Sequence, residues 1–549
     1  MKKYFKEIRF HIFMRVLCYG FVTLATAAIP ALQKQLFDLI LGEEAIIDSF
    51  PVIIVTYVVC LLSASLFGYL SMLYTWKASL RFELSLKRDF FKSVFNYKYE
   101  DFASRDIGEY ISIQGNDITA LDMDYLTPLV DIIQAFIQIL IFGVFLFVNV
   151  DWRISTVILI GSILTIIIPK VTSKPLADKR NTWLNQMGKY VSRIKDFLEG
   201  FKLIQSRTRN NINKEHEKIL EETKNMRYKY GKFKSLTFAL ENLGLNIVSA
   251  VAFIIAAILL LNGDLTMGSC VAAFGYINSF ISPINDLMYD FNSVSSLKKT
   301  KEKVIAYLEK EINQDLKVKK KFNQNITFEN ISFRYDNFSL DNFSYEFVKG
   351  KKYALIGHNG SGKSTLINGL MNYITPISGR IDIDGENIDS IDTAHIMYCL
   401  NQNEHIFSDS FINNATVFSS YQESSLNRVT DNLRLKIIDN LKTQDNSQNL
   451  SGGEKQVLSI IRMLTSSTEI CLMDEPFAAV DSKTTEILEN MLMDLQDKTI
   501  IMVTHDLSEN LAKFDEILLM EKGKVIGKGT YKEISEKQEF KKLIKTYLH

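Results

Sequence analysis

Apolar residues are unevenly spread along this chain: long runs crowd the region before residue 300, and short alternating runs replace them after residue 325. Six stretches, roughly 12–41, 51–75, 127–148, 153–170, 236–261 and 268–292, approach the ~20 apolar residues that a helix needs to cross ~30 Å of hydrocarbon. Residues 76–100 and 180–234 contain no proline, mix charge signs and keep apolar residues at helical spacing. They predict helices that continue tens of Å past the bilayer at ~1.5 Å per residue. Each should turn back through a short connecting helix, expected at Asp106 to Ile111 and at Phe197 to Lys202.

Loop charges orient the spans. Gly42 to Phe50 carries Glu43, Glu44 and Asp48 without a Lys or Arg, and Asn262 to Gly268 also lacks basic residues. Residues 76–126 hold Lys77, Arg81, Lys87, Arg88, Lys92, Lys98 and Arg105, and residues 170–234 are richer still. Positive charge stays cytoplasmic, which predicts six spans with both termini inside and Arg153 as the outer exception. The basic start (Lys2, Lys3, Lys6, Arg9) also fits a secretory signal cleaved after Ala25-Thr26-Ala27. A cleaved signal would send the later nucleotide site away from ATP. Arg15 is expected to snorkel to the interface. Asp131 and Glu241 lie in apolar spans, where a charge costs ~3 kcal/mol at mid-bilayer. They read either as solvated residues near the cytoplasmic end or as an acidic inner vestibule.

The 549 residues are 47% hydrophobic, high for a purely soluble protein, and the formal charge is zero, without the basic footprint of a nucleic-acid binder. Cys18, Cys60, Cys270, Cys399 and Cys471 form no metal or redox spacing and read as reduced thiols. A charged connector, Glu309 to Lys321, marks a boundary: an all-α membrane domain at 1–310, a linker at 311–324 and an α/β domain at 325–549.

In the second domain, Ile326–Phe328, Ile331–Phe333 and Tyr345–Phe347 alternate as short strands. Lys352–Ile356 then runs into Gly357-His358-Asn359-Gly360-Ser361-Gly362-Lys363-Ser364-Thr365, which fits the phosphate-loop pattern between a strand and an apolar helix. The glycines let backbone N–H groups approach phosphates, Lys363 suits the β- and γ-phosphates, and Ser364 suits Mg²⁺. Glu469 to Glu475 is an apolar strand ending in two acids. Asp474 suits a metal ligand through water, and Glu475 a general base for an attacking water.

Asn449-Leu450-Ser451-Gly452-Gly453-Glu454-Lys455-Gln456 resembles the signature of ATP-binding-cassette proteins, and further motifs follow that family in order. Tyr335 resembles its adenine-stacking aromatic, and Gln402 the glutamine that joins core and helical subdomains. Ala479-Val480-Asp481 resembles its D-loop, His505 its switch histidine, and Leu518 to Val525 its closing hairpin. With six spans and two long loops, the whole chain resembles an ABC exporter half-transporter: an all-α membrane domain followed by an α/β phosphate-loop cassette. The resemblance implies Glu475, His505 and Gln402 as catalytic residues, and Ser364, Gln402 and Asp474 as metal-site residues. It implies Tyr335, the loop residues Gly357, Asn359, Gly360, Gly362, Lys363, Ser364 and Thr365, and Ser451, Gly452, Gly453 and Asp481 around ATP.

Three departures stand out. Glu454 replaces the usual Gln, Val457 replaces a common Arg, and Thr443 to Gln448 offers only Asp445 in place of a charged coupling-sensor segment. The stretch from Gln402 to Ser451 is compact, implying a trimmed helical subdomain. The family implies a dimer sharing two ATPs. Glu475 and His505 favour a homodimer, and the altered signature flank leaves a heterodimer open. Export across the cytoplasmic (inner) membrane is expected, with an importing or regulatory relative as the alternative. The cargo stays open among peptides, amphipathic drugs and lipids. The absence of a ~120-residue cysteine protease domain before the first span argues against a leader-cleaving peptide exporter.

Overall fold

The computed structural model describes residues 1–41, 50–165, 167–309, 316–335, 338–402, 404–433, 436–443 and 446–547. The chain divides into two compact units, residues 1–95 with 107–310, and residues 96–106 with 311–549.

The first unit is helical. Its members are α1 (Lys2–Ile40) and α2 (Phe50–Val94), then, after α3 (Tyr99–Ala103) of the second unit, α4 (Ile107–Asn149), α5 (Trp152–Thr165), α6 (Ile167–Glu199), α7 (Arg209–Leu261), α8 (Met267–Ser296) and α9 (Lys298–Glu309). Among the described residues, six helical stretches are long and apolar enough to cross a membrane. Helix α1 packs on α2, α4 and α8, and α7 packs on α5 and α6. Phe142, Leu146, Ile154, Ala252, Ala256, Ala273 and Tyr276 form an inner core. By contrast, no residue of the most apolar stretch of α2 is buried. Val52, Val55, Leu62 and Leu66 point outward, an arrangement that lipid tolerates and water does not.

Two expectations for this unit need correction. Arg15 does not reach outward: it is 6% exposed and pairs with Asp131 of α4 at 2.5 Å, because a neighbouring helix offers it a carboxylate. The first cytoplasmic turn comes before Asp106 to Ile111. The helix α2 ends at Val94, α3 fills Tyr99–Ala103, and Ile107 to Ser112 already opens α4. Gly108 sits in the first turn of that helix, where a glycine costs little. The second turn lies where expected, with α6 ending at Glu199 and a 3₁₀ turn at Phe201–Leu203.

The second unit is α/β. A four-stranded antiparallel sheet orders β2 (Phe338–Val348), β1 (Asn325–Tyr335) and β4 (Ser378–Ile383), with the short strand Glu386–Asn387 at its edge. The two short strands expected at Ile326–Phe328 and Ile331–Phe333 are one strand. Asn330, at φ 49°, absorbs a register shift between them. The second sheet orders β9 (Lys524–Gly529), β8 (Glu516–Glu521), β3 (Lys352–Gly357), β7 (Thr499–Val503), β6 (Ile470–Asp474) and β5 (Met397–Leu400), all parallel except β9. Both β3 and β7 are wholly buried, as a parallel strand covered on both faces must be. The helices are α10 (Lys363–Leu370), α11 (Phe411–Thr416), α12 (Glu423–Leu433), α13 (Lys436–Thr443), α14 (Gly452–Thr465), α15 (Ser482–Met493), α16 (Tyr531–Ser535) and α17 (Gln538–Tyr547). The loop helix α3 belongs to this unit: Tyr99 lies on Tyr373 with ring centroids 4.3 Å apart, and Thr375 Oγ1 donates to Glu100 at 3.1 Å.

Candidate functional site

Strand β3 delivers the chain into a glycine loop at the C-terminal edge of the parallel sheet, where open α/β sheets bind ligands. Gly360 and Gly362 take left-handed φ values of 75° and 105°, and Gly362 is the N-cap of α10. Alternating backbone of this kind turns successive N–H groups to one side, as an anion nest. At Gly357, a Cβ would stand 2.2 Å from Met520 O, so strand β8 presses directly on the loop. The hairpin after it adds a bond from Gly523 N to Ser361 O at 3.0 Å.

Lys363 is buried, and its Nζ donates to Gly357 O at 2.8 Å and His358 O at 3.1 Å. Burial lowers the pKa of this ammonium, with Asp474 and Glu475 opposing. Ser364 Oγ donates to Asp474 Oδ2 at 2.8 Å. Burial raises the Asp474 carboxyl above its ordinary value, while the Ser364 bond and the Lys363 charge pull it back. Glu475 follows in a left-handed conformation, φ 50°, its N–H on Val503 O, a strained backbone of the kind found at functional sites. That turn aims its carboxylate at two partners: Gln402 Nε2 donates to Oε2 at 3.0 Å, and His505 Nε2 lies 2.7 Å from Oε1.

The residues present fit a nucleotide and a divalent cation. The Ser361 hydroxyl is buried without a hydrogen-bond partner inside the loop, and among the described residues the buried Lys363 ammonium donates to neutral carbonyls, which a phosphate would better satisfy. Among the described residues no three His, Cys, Asp or Glu gather as a metal cage. An ion beside Ser364 and Asp474 would therefore take most of its ligands from phosphate and water, the habit of Mg²⁺.

A second group forms around α14. Ser451 caps that helix in a capping box with Glu454, whose Oε2 accepts from Ser451 N at 2.8 Å and from Ser451 Oγ at 2.7 Å. A Cβ on Gly453 would meet Ala479 O at 2.7 Å, and Gln456 Oε1 accepts from Ala479 N at 2.7 Å. Asp481 caps α15 through Thr484 N at 3.1 Å. Signature and D-loop are thus fixed to one another. Among the described residues, no hydrogen bond joins Ser451, Gly452 or Gly453 to the phosphate loop. Tyr335 closes β1; its side chain lies outside the described residues, as do Gln444 and Asp445 entirely. Asn359 is exposed and Thr365 half-buried on the loop and on α10.

Sequence reasoning missed Arg462. This 5%-exposed residue of α14 donates to Asn414 O at 2.7 Å and His405 O at 3.0 Å, and lies 3.5 Å from Glu404. It ties the signature helix to the segment that follows Gln402. The only signal was a single basic residue inside the apolar run of α14.

Residues 12–284 match the family described as the ABC transporter transmembrane region, and residues 340–478 match the ABC transporter family. An ATP-dependent lipid A-core flippase of Pasteurella multocida (strain Pm70) is 26% identical over 412 residues, 70% of this chain and 69% of the relative. The lactococcin-G-processing and transport ATP-binding protein LagD of Lactococcus lactis subsp. lactis is 26% identical over 488 residues, 83% of this chain and 67% of the relative. A bacterial Atm1-family ABC exporter solved with ATP bound has the same fold, with a TM-score of 0.83 and 19% identity over 99% of both chains. With that family's membrane region and ATP-binding domain consecutive on one chain, this protein belongs to the ABC transporters, as a multi-pass exporter chain of the inner membrane that couples ATP hydrolysis on the cytoplasmic side to transport.

Proposed function

We propose that two copies of this chain share two ATPs, each held between the phosphate loop of one copy and the signature of the other, and together export a peptide, amphipathic drug or lipid. The observation that carries this reading is the convergence of Gln402 and His505 on Glu475, one residue from the Ser364–Asp474 pair.

In this reading the N–H groups of Gly357 to Thr365, Asn359 among them, cradle the phosphates, Lys363 clamps the β- and γ-phosphates, and Tyr335 stacks on adenine. Ser364, Gln402 and, through water, Asp474 would hold Mg²⁺, which would supply charge neutralisation to the phosphates. Glu475 takes the proton of the attacking water. His505 and Gln402 hold its carboxylate in place. Ser451, Gly452, Gly453 and Asp481 close the site from the other copy. The presence of both Glu475 and His505 supports a homodimer. Closure of the cassettes would open the cargo path outward, and hydrolysis would reset it.

Mixed dimers test the shared site. Lys363→Ala and Ser451→Arg each spoil both sites of a homodimer. In a mixed dimer carrying two affinity tags, both lesions fall on one composite site and leave the other native. ATPase activity well above either parent is expected. No recovery, in mixed dimers that still bind ATP, would overturn sharing between two copies or require both sites to fire.

A further inference from the structure

Three helices of the membrane unit carry polar residues on facing sides. Arg15 of α1, buried in its span, pairs with Asp131 of α4 at 2.5 Å, and one turn along Tyr19 donates to Gln138 at 2.6 Å. On α8, Asp286 and Asp290 are one turn apart. The charges of Asp131, Asp286 and Arg15 all bear on Asp290. Asp131 and Asp290, with Asp122, bear on the Arg15 guanidinium, and Asp286 bears on both Asp131 and Asp290.

Two further observations show that this stripe is unfinished. Asp290 is 6% exposed and accepts no hydrogen bond among the described residues. Gln134, on the same face of α4 as Asp131 and Gln138, is 5% exposed, and its Nε2 has no partner. Buried acids inside a membrane span are expensive and persist where they meet an ion, a substrate or each other. A structural ion pair would need only Arg15 and Asp131. The surplus is one buried acid, Asp290, and the exposed Asp286, whose Oδ2 accepts from Ser282 at 3.3 Å, plus an amide N–H that wants an oxygen acceptor.

We propose that this stripe on α1, α4 and α8 binds the positively charged group of the transported molecule, an ammonium or other organic cation next to a carbonyl or hydroxyl oxygen. Asp290 and Asp286 meet the cation, Gln134 donates to the neighbouring oxygen, and Arg15 holds Asp131 as the fixed wall of the site. The assignment rests on the exporter reading above and narrows its cargo.

The test uses the full chain in lipid nanodiscs without nucleotide, with ethidium as a permanently charged probe followed by its fluorescence. The native protein is expected to bind ethidium saturably, and Asp290→Asn to weaken binding roughly tenfold or more, the effect of one lost charge-assisted contact. Asp290→Glu should restore most of it. Should Asp290→Asn fail to assemble, Asp286→Asn, at an exposed carboxylate of the same stripe, should weaken binding about threefold, a smaller share of the same contact. Equal affinities in native and variant proteins, or no saturable binding by the native protein, would overturn the assignment. Displacement of ethidium by millimolar sodium would also overturn it, by making this an inorganic coupling-ion site. The Glu475→Gln protein separates the two readings: retained ethidium binding with hydrolysis at the native rate would remove Glu475 from the base role and leave the cation site standing.

Discussion

Within the cassette, the phosphate-loop group and the signature group satisfy their polar atoms in different ways. The first recruits partners from far along the chain: Ser364 and Asp474 are 110 residues apart, Gln402 and Glu475 are 73 apart. The second is closed locally, Ser451 by Glu454 three residues on, with its remaining face exposed. One group is thus set by the tertiary fold of a single chain. The other is set by helix capping and by contact with Ala479, and Ser451 itself stays exposed.

The comparison breaks most sharply at Glu475. Glu475→Gln is expected to leave ATP binding intact and cut turnover by about 10²–10⁴-fold. Single-turnover hydrolysis at the native rate would remove Glu475 from the first group's chemistry. Arg462→Ala attacks the link between the groups, taking its donors from the buried Asn414 O and the partly exposed His405 O and leaving Glu404 without its guanidinium. A loss of about 3–5 kcal/mol is expected, read as a lowered denaturant midpoint of the purified protein. A midpoint within error of native would mean the groups are held together otherwise.

Gly453→Ala sharpens the second group. Its Cβ would press on Ala479 O, a backbone atom with little freedom, and should cost about 1–3 kcal/mol as an overpacked contact. Thermal unfolding reads this, and an unchanged melt would show that signature and D-loop separate freely. Smallest is Glu454→Gln. It removes a negative charge from the N-terminus of α14, where a phosphate of the partner's ATP would compete for the same dipole. An approximately two- to fivefold lower KM for ATP is expected, from the ~0.3–1 kcal/mol typical of such charges. A higher KM would mean that the capping box, rather than charge, is what Glu454 contributes.

How much of this was legible in the sequence depends on where the partners lie. The phosphate loop, Asp474–Glu475 and the signature are contiguous words, and each spells its own local geometry. The spans were legible because hydrophobic length is itself the constraint. Arg15 was misread as a snorkelling residue because Asp131 is 116 positions away. Arg462 was missed because its acceptors are main-chain atoms, which no side-chain pattern announces. The single strand β1 read as two because Asn330 breaks the alternation without breaking the sheet. The first cytoplasmic turn was displaced because Gly108 looks like punctuation, although a helix accepts glycine at its start.

The pressure of β8 on the phosphate loop has a consequence in time. Gly357 lies opposite Met520 in the sheet, and the loop's Ser361 receives its bond from Gly523. During synthesis the loop is therefore made about 160 residues before its floor, a gap of about 10–30 s at ~5–20 residues per second. Until that floor arrives, a flexible glycine loop and a buried lysine have no fixed frame, and nucleotide cannot be held in its final geometry. A ribosome stalled before residue 516 should carry a cassette that binds ATP poorly. ATP is thus a ligand of a cassette whose β8 and β9 have already been made, positioned to stabilise it only after those strands have paired.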